Sequence, residues 1–194
     1  MGRFDKLFNR KGTQLDGEIQ EISKALIKKA KDQSWQQKIN ITEEAEKIGT
    51  LCGILRKEHY PAYFVDIAMG LLCYPPELAF SIAVQFANLA PRLGWNPFGT
   101  IMLALSKIDS LYQGLLVRKT VFDEKPELFE VVSNKQLRIQ KAGQLVAVAI
   151  LASAQNIKEA KETYRNNVFD PSVKAVVDQE LRKYNEEIAR EIIR

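Results

Sequence analysis

Between Tyr60 and Val117 the chain carries only five charged residues, Asp66, Glu77, Arg92, Lys107 and Asp109, and 36 of these 58 residues are apolar. The other 136 residues carry 47 charges. Burying apolar surface stabilises a chain by about 25 cal/mol per Å². A sequence divided in this way therefore folds around a hidden middle, with the charged segments outside it. At 194 residues, folding buries about 70% of the unfolded surface, so one core needs neither disulfide nor metal to hold it together. The two cysteines, Cys52 and Cys73, stand in apolar surroundings without CxxC spacing. That is the pattern of buried thiols in a reducing, cytoplasmic compartment, although spacing alone leaves a disulfide open.

Punctuation along the chain is helical. Asn96-Pro97 and Asp170-Pro171 each place a capping side chain before a proline at the first helical position, where the missing N–H costs nothing. Ser133 with Gln136 has capping-box spacing, and Asn40 with Glu43 is a weaker version. Pro76-Glu77-Leu78 and Pro126-Glu127-Leu128 put an acid at the positive end of a helix dipole. Strand-type alternation is not evident. These signals predict helices over 3–9, 14–32, 42–58, 62–73, 76–90, 97–119, 126–132, 134–165 (with a break near Asn156) and 171–193. The fold class is all-α: a compact bundle of seven to nine helices, with apolar central helices enclosed by amphipathic first and last long helices. Residues 13–194 form one domain behind an amphipathic arm, 1–12. Glycines inside the expected helices, including Gly49, Gly53, Gly70, Gly114 and Gly143, are read as points of close helix approach.

A membrane span needs about 20 predominantly apolar residues. The longest charge-free stretch, 142–157, has 16 and includes Gln144, Ser153, Gln155 and Asn156, so no transmembrane segment is expected. Charges interrupt residues 1–40 throughout, and no signal peptide is read there.

No catalytic constellation emerges, and the chain reads as a non-enzyme without cofactor or metal. Its single histidine, His59, follows Glu58 at an expected helix end, where the dipole favours its charge. A di-iron Glu-x-x-His motif would need an acid where Arg56 stands. Phosphate loops of the GxxxxGK[ST] and GxGxxG types are absent. The acids Glu43, Glu44 and Glu46, and Asp123, Glu124, Glu127 and Glu130, fall near helix starts, where the dipole favours them whatever the function. Asp66 and Asp109 sit in apolar helices, and a buried acid must be paired or neutral. Arg92 and Lys107 are the only cations in the block, so an ion pair among these four is expected, against the alternative that all four reach solvent. An enzyme using a buried acid such as Asp66 on a small apolar ligand is a third functional reading.

Three surface features carry the functional expectations. In the N-terminal arm, Phe4, Leu7 and Phe8 share one face among Arg3, Lys6, Arg10 and Lys11, a pattern suited to docking on protein or on an anionic membrane surface. The last helix carries a stripe of Val173, Val177, Leu181, Tyr184, Ile188 and Ile192, which either packs at home or binds another copy. Lys28, Lys29 and Lys31, within a basic stretch over 24–38 that includes Trp35, and Arg118 and Lys119 form basic patches. The leading expectation is an interaction or assembly subunit that associates with a protein partner or with itself, with Phe4, Leu7, Phe8, Val177, Leu181, Tyr184 and Ile188 as contacts. The alternative is a nucleic-acid-binding helical protein that uses Lys28, Lys29, Lys31, Arg118 and Lys119.

Overall fold

The computed structural model describes the backbone of residues 3–51, 60–89, 97–114, 126–168 and 170–194, and the side chains of 12–48, 64–88, 98–111, 126, 129–168 and 170–194. Among the described residues all regular structure is helical. Eleven helices follow one another among the described residues: α1 (Arg3–Gln36), α2 (Ile41–Leu51), α3 (Tyr60–Leu71), α4 (Pro76–Leu89), α5 (Pro97–Ser106), α6 (Ile108–Gly114), α7 (Pro126–Ser133), α8 (Lys135–Ser153), α9 (Ile157–Asn167), α10 (Pro171–Tyr184) and α11 (Glu186–Ile193).

Eleven exceeds the expected seven to nine for local reasons. The segments 3–9 and 14–32 are one continuous helix, α1. Gly12 lies between them but costs a helix only about 1 kcal/mol, and no proline stands there. In the other direction, the expected helix 171–193 is broken at Asn185. This residue is extended (φ −164°, ψ 121°), and its side chain accepts from Glu187 N–H and Ile188 N–H. Helix 134–165 breaks over Ala154–Asn156, as expected. Asn156 Oδ1 accepts from Glu159 N–H, and the Glu159 carboxylate reaches back to Gln155 N–H, a reciprocal pattern of the capping-box kind. The expected helix 97–119 divides at Lys107.

The Asp170 cap forms as read, Oδ1 accepting from Ser172 N–H and Val173 N–H ahead of Pro171; of the Asn40 box the N-cap half is present, Asn40 Oδ1 accepting from Thr42 N–H at 3.1 Å and Glu43 N–H at 3.4 Å. The Ser133 box does not form. Asn134 is the N-cap of α8, accepting from Leu137 N–H, while the Ser133 hydroxyl donates backwards to the Phe129 carbonyl oxygen. Adjacent Ser and Asn compete for one capping position, and the longer amide side chain takes it.

The hub is α8. Its residues Leu145 to Ala152 are all buried, and α1, α4, α5, α6, α7, α9 and α10 all pack on it. The apolar block supplies α3 to α6; α3 packs on α4, α5 and α6, and α4, α5 and α6 pack on α8. The hidden middle is therefore shared between that block and a helix beyond it. One apolar cluster runs continuously from Leu15 to Ile192. At Gly143, an added Cβ would lie 2.6 Å from Val176; here α8 and α10 approach as closely as the glycine reading requires. At Gly70 the nearest side-chain atom would lie 3.8 Å away, an ordinary contact. The close-approach expectation thus holds for Gly143 and not for Gly70, while Gly49, Gly53 and Gly114 lie outside the described side chains.

Helix α1 ties down the breaks. Asp16 accepts from Ile157 N–H at the start of α9, Ser23 donates to the Ala152 carbonyl oxygen at the end of α8, and Asn185 donates to Glu18 at the α10–α11 corner. Backbone groups freed where helices end are thus partly satisfied by the polar side of one long neighbour. No helix among the described residues is long and apolar enough to cross a membrane.

Candidate interaction surface

Three polar clusters lie against the core, and each bears on whether the chain holds a reactive site. Glu77, in the first turn of α4, is only 2% exposed. Lys29 donates to its Oε1 at 2.8 Å and Gln33 to its Oε2 at 3.1 Å, both from α1, and the Tyr184 hydroxyl of α10 faces the same carboxylate. Burial pushes the Glu77 carboxyl up, but hydrogen bonds from Lys29, its own backbone and Gln33 outweigh this and hold it below its ordinary value. Tyr184 is pushed up to about 12, first by burial and then by the charges of Glu77 and Glu180. The cluster joins three helices, and its carboxylate already accepts at both oxygens.

Asp109, at the start of α6, is the second junction. Buried Arg138 donates through Nη2 to Asp109 and through Nη1 to the Val132 carbonyl oxygen, so it clamps α6, α7 and α8. Lys135 adds an ion pair to the other Asp109 oxygen at 3.0 Å. Burial raises the Asp109 carboxyl, and the bonds from Arg138 and Lys135 bring it below its ordinary range. For Asp109 the expected pairing forms, but with partners from outside the apolar block. Asp109 is buried, both partners come from α8, and Lys107 is exposed. Arg92 lies outside the described residues. Arg138 was legible in principle, since Arg138, Ala142, Leu145 and Ala149 follow the 3.6 period of one helix face and the latter three are buried apolar residues.

In the third cluster Tyr164 donates to Asp178 Oδ1 at 2.6 Å, Lys174 pairs with Asp178 Oδ2 at 2.6 Å, and the Lys174 ammonium lies 5.3 Å from the Tyr164 ring centre. It ties α9 to α10. All three clusters read as helix-to-helix fasteners. Asp66, the residue of the enzyme reading, is buried at 5% exposure and lines none of the hollows described here. Among the described residues, no three His, Cys, Asp or Glu side chains gather as a metal site. Cys73 is half-buried, more open than expected, and its thiol donates to the Gly70 carbonyl oxygen; Cys52 and His59 lie outside the described residues.

The contact residues expected in the last helix are placed inside. Val177, Leu181 and Ile188 are each 1% exposed or less, and Tyr184 is half-buried. Helix α10 lays this stripe on α8, and α11 packs on α9 and α10. The face offered to a partner in the sequence reading is consumed by the chain's own core. Phe4, Leu7 and Phe8 belong to the α1 backbone, and their side chains lie outside the described residues, as do Arg118 and Lys119 entirely.

What remains open is the C-terminal end of α1. Lys28, Lys29 and Lys31 are exposed there, although Lys29 is engaged by Glu77. Trp35 is 83% exposed, the most exposed large apolar residue described. The helix closes just beyond it in a tight, defined form: Ile39 N–H donates to the Ser34 carbonyl and Lys38 N–H to the Trp35 carbonyl. This is the Schellman pattern, with Lys38 in the left-handed conformation (φ 55°) that glycine adopts at no steric cost. The turn shapes an open hollow of about 760 Å³ lined by Lys31, Ser34, Trp35, Gln36, Lys38, Ile39 and Asn40. A second hollow, of about 540 Å³, runs between α8 and α10 past Ile139, Val176 and Lys183. A third, of about 530 Å³, lies between Met102 and Phe98 of α5 and Glu159 and Glu162 of α9.

In the sequence the lysines dominate the basic stretch 24–38, and Trp35 stands out less than they do. One signal could have promoted it: Lys31 and Asp32, three and four residues earlier, are both charged, so Trp35 belongs to no apolar stripe. The chain matches no family model, no curated protein and no solved structure in the comparisons made with each.

Proposed function

We propose that this protein is a non-enzymatic interaction and assembly subunit, and that it engages its partner through the end of α1 with Trp35 as the anchor. The single observation carrying this reading is a tryptophan 83% exposed at a helix end whose backbone is closed by specific hydrogen bonds. A side chain that would gain most by leaving water is held in water on a fixed support. Tryptophan dominates the affinity of many interfaces because it buries a large area with little conformational freedom to lose. The saturation of Glu77 and Asp109 by helix-joining partners supports the non-enzymatic part. The N-terminal arm with Phe4, Leu7 and Phe8 is kept as a second contact, and a reducing cytoplasmic setting accords with the Cys73 thiol.

Light scattering of the full chain over a range of concentrations tests this. Self-association gives a mass rising above 22.1 kDa, and Trp35→Ala returns it toward the monomer without loss of helicity. A monomer at every concentration removes the self-association reading. The second reading, binding of single-stranded nucleic acid, draws on the same residue, because Trp35 stands beside Lys31 and Lys38 and a base can stack on its ring. It requires affinity that falls steeply with salt as phosphate counterions are released. No binding at low salt removes it.

A further inference from the structure

We propose that the occupant of the Trp35 hollow is helix α7 of a second copy of this chain, with Phe129 set against Trp35; this rests on the self-association reading above. Four large apolar side chains are exposed among the described residues, and two stand apart: Trp35 at 83% and Phe129 at 62%, against 40% for Ile27 and 37% for Leu103. Their charge settings are opposite. Lys31 and Lys38 line the hollow beside Trp35 and outnumber exposed Asp32, whereas exposed Glu130 follows Phe129 and Asp123, Glu124 and Glu127 outnumber Lys125 in the sequence before it.

Helix α7 turns its other side inward, with Val132 fully buried, so it is anchored while Phe129 and Glu130 face water. Ile39 gives the hollow an apolar wall. An aromatic ring entering there meets Trp35 and Ile39, and the acid beside it meets the two lysines. Complementary charge of this kind selects partner and orientation more than it adds affinity. The two surfaces differ, so the contact is heterologous. Each copy keeps one donor surface and one acceptor surface in use or open, and the assembly grows as a chain unless rotation closes it into a ring. Two aromatic anchors make a small interface, which belongs with weak, reversible associations.

The experiment uses the full-length chain, Trp35→Ala, Phe129→Ala and an equimolar mixture of the two variants, followed by light scattering across concentration. Thermal melts confirm that the exposed substitutions leave folding intact. Wild type is expected to grow with concentration past a dimer. Each single variant should need about thirtyfold higher concentration to associate, as for loss of an interface hot spot. The mixture should form a one-to-one dimer and stop, because only the intact Trp35 of one variant and the intact Phe129 of the other can meet. Glu130→Lys should weaken association, and Lys31→Glu with Lys38→Glu in the other copy should restore it. Association lost in Trp35→Ala but kept in Phe129→Ala overturns this occupant and leaves Trp35 as anchor for another. A wild type that stays monomeric overturns both readings, and a peak with nucleic-acid absorbance that Trp35→Ala abolishes assigns the corner to nucleic acid instead.

Discussion

The stripe of α10 and α11 and the end of α1 make opposite use of apolar side chains. Val177, Leu181, Ile188 and Ile192 repeat at helical spacing and lie wholly buried, whereas Trp35 has no apolar neighbour three or four residues before it and stands 83% exposed. Periodicity is a statement about a helix face, and a face that wide is covered first by the nearest available core. A solitary aromatic in a polar turn cannot reach that core without dragging charges along, so it stays outside. The more conspicuous pattern in the sequence is therefore structural, and the less conspicuous residue is the better candidate for recognition.

The contrast breaks most visibly at the buried clamp. Arg138→Ala leaves Asp109 with Lys135 alone and should cost about 3–5 kcal/mol, the loss that follows removal of one member of a buried pair; denaturant unfolding measures it. A loss under about 1 kcal/mol would show that Asp109 is solvated and no part of the interior. Next, Leu181→Ala should destabilise by about 2–5 kcal/mol through the cavity left against α8. Trp35→Ala should change stability by no more than about 0.5 kcal/mol. Equal effects of the two would erase the distinction between stripe and corner.

Acid sharpens the same division. Glu77 and Asp109 are both held below their ordinary values, so the unfolded chain binds more protons than the folded one near the carboxylate range. Their stabilisation is present above the unfolded values, near pH 4, and is lost as pH falls through the lower folded values. Thermal midpoints should therefore hold down to about pH 5 and fall below about pH 4, and Glu77→Gln should flatten that fall. On the alkaline side Tyr184 is raised to about 12. The unfolded tyrosine ionises near pH 10, so stability declines between about 10 and 12, which Tyr184→Phe should lessen, with buried Tyr164, also raised above its ordinary value, keeping the rest. A further small effect sits at the end of α1. Lys38→Gly relieves a left-handed residue but loosens the unfolded chain, and a net gain of up to about 1 kcal/mol in the melt is expected.

Much of the fold was legible because its signals are local. The prolines and caps at Asp170-Pro171, Asn40 and Pro76 act within one turn, and the starts they predict are where helices begin. The break at Asn185 was not legible. Asparagine is tolerated in a helix, and it takes the extended form here alongside a hydrogen bond to Glu18, 167 residues away in the chain. Arg138 escaped notice because a charged residue on an apolar face normally reads as a boundary; only the arrival of Asp109 from α6 turns it inward.

By itself the sequence determined that this protein is helical, where most helices start, and that a charge-poor middle had to be hidden. Those follow from dihedral preferences, capping and the cost of apolar surface in water, all of which operate over a few residues. Tertiary structure alone decided that α8 is the hub, that Asp109 pairs with Arg138, and that the last stripe is spent at home while Trp35 is not. Each of these depends on which of several suitable surfaces meet, and that is settled by shape and charge across distant segments that no local spacing records.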